Sequence, residues 1–201
     1  MRGSPIDFDI ADAGTAPDAS MDAAELASRS NDAAQPRLQP GPFLRQVAED
    51  IKVRSAPTEE PIQVQARGRL IKCWFGPEPS IHYEIAIHER TGKIELGLHC
   101  ESSPQYNRSL YKAFDRCILD IQQTLGTSFW LEEWDHGWIR LYETHPLYPL
   151  DTYRVGEISE RLNEIIAALE PIYAQITEEV GPPPPAPARS PGQGSWRSRR
   201  R

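Results

Sequence analysis

IHYEIAIHERTGKIELGLHCE, residues 81–101, is the stretch whose reading decides the fold. Ile81, Tyr83, Ile85 and Ile87 alternate with His82, Glu84, Ala86 and His88. After Thr91-Gly92 the alternation resumes, with Ile94, Leu96, Leu98 and Cys100 against Glu95, Gly97, His99 and Glu101. A two-residue period on both sides of a glycine turn predicts an antiparallel hairpin with one apolar and one polar face. To keep the apolar residues together, paired positions must sum to an odd number, and a loop of two or four residues around Thr91-Gly92 predicts a sum of 183. His88 then faces Glu95, Glu84 faces His99, and His82 faces Glu101.

Imidazole and carboxylate are the common ligands of zinc and non-haem iron and the common proton carriers. The six residues His82, Glu84, His88, Glu95, His99 and Glu101 are therefore a candidate acid-base or metal face. Their spacing speaks against a metal centre. Residues two and four apart on a flat strand lie roughly 7 and 13 Å apart, too far for one small ion. Only Glu84, His99 and a diagonal neighbour, Glu101 or His82, can converge. The preferred reading is a solvated face of neutralising pairs, with no metal and no cofactor.

A second hairpin follows in SFWLEEWDHGWIRLYE, residues 128–143. A three-residue loop Asp135-His136-Gly137, with Gly137 in the left-handed region, predicts pairs Trp134–Trp138, Glu132–Arg140 and Trp130–Tyr142. The opposite face presents Phe129, Leu131, Ile139 and Leu141 as its core side. In one sheet with the first hairpin, Trp130, Trp134, Trp138, Arg140 and Tyr142 share the His/Glu face and form a candidate partner-binding surface, since Trp, Tyr and Arg dominate interface hot spots.

Around the hairpins, Phe43, Leu44, Val47 and Ile51 have helical spacing, as do Leu110, Phe114, Cys117, Ile118, Ile121 and Leu125, and then Val155, Ile158, Leu162, Ile165, Leu169, Ile172 and Ile176. Ser103-Pro104 and Asp151 supply start signals, and Gly126 a stop. In IQVQARGRLIKCWF, residues 62–75, apolar parity changes from even to odd, which is read as one strand with a bulge near Gly68. The prediction is an α+β domain, with an antiparallel sheet of about five strands in the order α-β-β-β-α-β-β-α and helices packed on one face.

The domain is expected to span residues 41–180. Residues 1–40, Ala- and Asp-rich, and 181–201, Pro-rich and ending in arginines, bury too little to fold and are expected to be disordered. Residues 41–180 carry 22 acids and 14 bases. Such an acidic domain repels nucleic acid, so only weak, salt-dependent contacts from 189–201 are expected. Cys73, Cys100 and Cys117 lie in apolar segments without a CxxC spacing and read as reduced core residues of a cytoplasmic protein. No apolar run is long enough to span a bilayer, so no membrane partner is expected.

The element order over about residues 43–180 resembles that of the class I type III secretion chaperones. That resemblance implies a homodimer that holds extended protein segments and needs no cofactor. The leading expectation is thus a non-catalytic, chaperone- or adaptor-like module binding a protein partner through its aromatic sheet face. A metal-dependent or acid-base enzyme using the His/Glu hairpin is the alternative, and an accessory of nucleic-acid machinery acting through the arginine tail is a second alternative.

Overall fold

A computed structural model describes residues 36–55 and 60–184, in the order α1 Pro40–Ser55, β1 Gln63–Arg67, β2 Leu70–Trp74, β3 Ile81–His88, β4 Lys93–Cys100, α2 Pro104–Leu125, β5 Trp130–Trp134, β6 Trp138–Pro146 and α3 Thr152–Val180. The expectations for residues 1–35 and 185–201, including the arginine tail, lie outside the described residues. The architecture is α+β. All six strands are antiparallel, in the order β1-β2-β3-β4-β6-β5.

The sixth strand comes from residues 62–75. Instead of one bulged strand, β1 and β2 form a hairpin in which Arg67 pairs with Leu70 across Gly68-Arg69. Gly68 has φ 64°, as the first loop residue of a type II′ turn requires. A two-residue loop itself changes the parity of the inward-facing positions. Val64 thus pairs with Cys73 and Ala66 with Ile71.

Ile71, Cys73, Tyr83, Ile85, Leu96, Leu98, Ile139 and Leu141 share one face of the sheet and are fully buried. All three helices cover that face. Phe43, Val47 and Ile51 of α1 and Leu162, Ile165 and Leu169 of α3 close the core, with Leu110, Phe114 and Ile121 of α2 beside them. Ser103 Oγ caps α2 by accepting from Tyr106 N, Pro104 occupies its first turn, and Asp151 caps α3 by accepting from Arg154 N at 2.8 Å. Cys73 and Cys100 are buried and Cys117 is partly buried, all unpaired. Burial pushes the Cys73 thiol up to about 12, so it is held as the unreactive thiol.

The final helix does not lie over the aromatic hairpin. Its Glu170 accepts a hydrogen bond from Tyr83 Oη at 2.8 Å and its Arg161 binds Glu143, both on the aliphatic face. The opposite face is left to its own side chains among the described residues.

Candidate functional site

The open face is built by the two hairpins. β5 and β6 pair as their residue pattern predicts, with Trp130 opposite Tyr142, Glu132 opposite Arg140, and Trp134 opposite Trp138. Both His136 and Gly137 of the loop have positive φ, 63° and 71°. β6 lies beside β4, which brings Arg140 opposite His99 and Tyr142 opposite Gly97. Gly97 allows this approach. A Cβ there would meet Leu141 O at 2.1 Å and Tyr142 Cα at 2.7 Å, both fixed backbone atoms.

The register of the first hairpin differs from the expected one by two residues. His82 pairs with His99, Glu84 with Gly97, Ala86 with Glu95, and His88 with Lys93, around a four-residue loop Glu89-Arg90-Thr91-Gly92. Gly92 takes the left-handed position at the end of the loop, and Thr91 N donates to His88 O at 3.1 Å. Both registers keep the isoleucines on one face, so facial segregation alone does not separate them. The observed one puts imidazole opposite imidazole. Their rings stack at 5.8 Å and 29°, and Trp134 closes over His99 edge-on at 6.1 Å.

Flat-strand spacing left Glu84, His99 and one of Glu101 and His82 able to converge, and the observed register gathers all four. Glu84 and Glu101 lean from either side over the paired histidines, and one ligand atom from each of His82, Glu84, His99 and Glu101 lies within 4.8 Å of every other. His82 Nδ1 lies 2.9 Å from the carbonyl of Pro79, an acceptor only, so Nδ1 carries the proton. Its Nε2 is hydrogen-bonded to Glu84 Oε2 at 3.3 Å and lies 3.9 Å from Glu101 Oε1. Lys72, from β2, supplies positive charge at the rim, 2.9 Å from Glu101 and 3.6 Å from Glu84. Burial alone would raise the Glu84 carboxyl, but His82, His99 and Lys72 together bring it below its ordinary value.

His88 and Glu95, the other two candidates, stand outside this group. Glu95 is buried and receives both bonds of a bidentate contact from Arg140 Nη1, at 2.8 and 2.9 Å. Arg140 also grips Glu132 at 2.6 Å, and its guanidinium lies 4.1 Å from the Tyr142 ring centroid and 5.4 Å from that of Trp134. His88 reaches Glu95 at 3.5 Å from an exposed position. Burial raises the Glu95 carboxyl and His99, Arg140 and His88 outweigh it, so it is held low.

Sequence reasoning missed Lys72, the ladder partner of Glu84, because the hairpin at Gly68 was read as a bulge. It also missed Pro79. No local signal marks the Pro79 carbonyl as the partner of His82.

No protein-family model matches the chain, and no curated protein or solved structure is significantly similar to it. No described helix is long and apolar enough to cross a membrane.

Proposed function

We propose that the protein is a non-catalytic interaction module that holds a protein segment on the open face of its sheet, with Trp130, Trp134, Trp138, Arg140 and Tyr142 as the contact residues. The observation that supports this most is the placement of all three helices on the other face, which leaves five large side chains in register on a rigid antiparallel ribbon. Trp130, on the edge strand, is 59 % exposed. Trp134 and Trp138 pack against each other at 5.4 Å and are half-buried, so little rotamer freedom remains to be lost on binding. Glu132 lies between Trp130 and Trp134 on the edge strand, and residues 41–180 carry 22 acids and 14 bases. The complementary ligand is a segment with basic and aromatic or aliphatic side chains, whose cations can stack on the rings.

Selection of peptides from a displayed random library against the full chain tests this reading. Basic, aromatic-containing peptides should emerge. Replacing Trp130 and Trp138 by alanine should weaken them by at least about tenfold, roughly 1.4 kcal/mol, while the thermal transition stays within a few degrees. Selected peptides that bind the double variant as tightly as the parent would remove the aromatic face as the binding surface.

A further inference from the structure

His99 is 2 % exposed, and neither of its ring nitrogens makes a hydrogen bond. Its Nε2 lies 3.4 Å from Glu95 Oε1, a contact without hydrogen-bond geometry, while Arg140 donates to both Glu95 oxygens. A buried polar group without a partner keeps its desolvation cost unrepaid, so a fold rarely retains one without a use. His82 brings a second ring nitrogen to the same place. Its Nε2 is hydrogen-bonded to Glu84 Oε2 at 3.3 Å and lies 3.9 Å from Glu101 Oε1. Two imidazoles and two carboxylates thus present ligand atoms within 4.8 Å of one another.

We propose that His82, Glu84, His99 and Glu101 form a binding site for one divalent first-row transition-metal ion of the zinc class. Two imidazoles and two carboxylates are a donor set that zinc, manganese and iron(II) all accept. The contact of His82 Nδ1 with the Pro79 carbonyl is the outer bond that metal-binding histidines characteristically make, and it aims Nε2 inward. His82 and His99 form the buried floor, while Glu84 and Glu101 are partly exposed and give the ion its way in from solvent. Gly97, opposite Glu84, adds no side chain that would fill the space. Ligands at about 2.1 Å in a tetrahedron stand about 3.4 Å from one another, so a span of 4.8 Å must contract by about 1.4 Å. Rotation of the two glutamates can supply that.

Lys72 is the group that opposes the ion. Its ammonium donates to Oε2 of Glu101 and repels a dication, so it must swing aside on loading. This gives the proposal a second sign to test, and the proposal stands independently of partner binding by the aromatic face.

The test is isothermal titration of the chelator-treated full chain with zinc chloride, paired with thermal melts with and without zinc. One equivalent should bind and raise the Tm. His99→Ala and Glu101→Gln should each weaken binding by at least about a hundredfold and abolish the Tm rise. Lys72→Met should tighten it by at least about threefold. His136→Ala, on the exposed loop, should bind as the parent does. If His99→Ala fails to fold, Glu101→Gln and Lys72→Met still decide the matter, since both groups are partly exposed. No saturable equivalent in the parent, or an equivalent undiminished by Glu101→Gln, would overturn the site.

Discussion

Each face of the sheet sets histidine beside carboxylate, and the two treat it in opposite ways. On the helix-covered face, Glu143 is 3 % exposed and fully engaged. Arg161 of α3 binds it at 2.6 and 2.8 Å, His145 approaches at 2.8 Å, and the same guanidinium reaches Leu125 O at 2.5 Å. Nothing in this cluster is left wanting a partner. On the open face His99 is equally buried, and neither of its ring nitrogens is hydrogen-bonded. A saturated polar cluster tethers a helix to a sheet, whereas an unsaturated one keeps donor atoms available for something else. The difference lies in completeness of pairing, which neither residue type nor burial reveals.

The largest expected effect breaks the saturated side. Arg161→Met leaves Glu143 buried opposite an apolar stem, and removing one partner of such a pair costs about 3 kcal/mol or more. Urea unfolding at neutral pH measures it. A loss under about 1 kcal/mol would mean the Glu143 cluster is solvated after all, and the contrast between the faces would fail.

Acid sharpens the same contrast. Burial pushes the Glu143 carboxyl up, but the bonds from Arg161 and His145 reverse that and hold it at about 2, below its ordinary 4.5. A depressed folded value means stability that is complete above about pH 4.5 and is lost as pH falls through about 2, here of order 2–3 kcal/mol. Melts between pH 5 and pH 2.5 should therefore show a falling Tm in the parent and a flatter limb in Arg161→Met, where the carboxyl no longer gains from ionising. An unchanged acid limb in that variant would assign the loss to Glu84 and Glu95, and so make the open face a structural network too.

Much of the fold could be read from residue pattern, and the limits have identifiable causes. Alternation in residues 81–101 and 128–143 assigns every strand residue to its face, and the Gly137 turn fixes the aromatic register, because a three-residue loop leaves one pairing that keeps the faces unmixed. Parity determines the first hairpin only modulo two residues, and the four-residue loop ending in Gly92 decides the remainder. That slip is the whole difference between three separated acid–imidazole pairs and a single group of four ligands. The hairpin at Gly68 was equally open, since a bulge and a two-residue turn both change parity, and with it went Lys72. Burial of His82 and His99 was not legible at all, because it depends on Trp134 folding over the ring from two strands away.

The smallest expected effect separates the faces by sign. His99→Leu removes two buried nitrogens that make no hydrogen bond and substitutes an apolar group of similar volume. The removed desolvation penalty is offset by the loss of the stack on His82 and the edge contact with Trp134. These terms are of similar size, so urea unfolding of the metal-free chain should show between no change and a gain of about 1 kcal/mol. The tether on the other face behaves oppositely, since Arg161→Met loses stability under the same conditions. The variant should at the same time lose its zinc equivalent, so the one substitution is neutral for folding and severe for binding. A loss of more than about 2 kcal/mol would show that His99 contributes to the fold through its nitrogens, with the 3.4 Å approach to Glu95 acting as a true bond. The two faces would then differ only in degree.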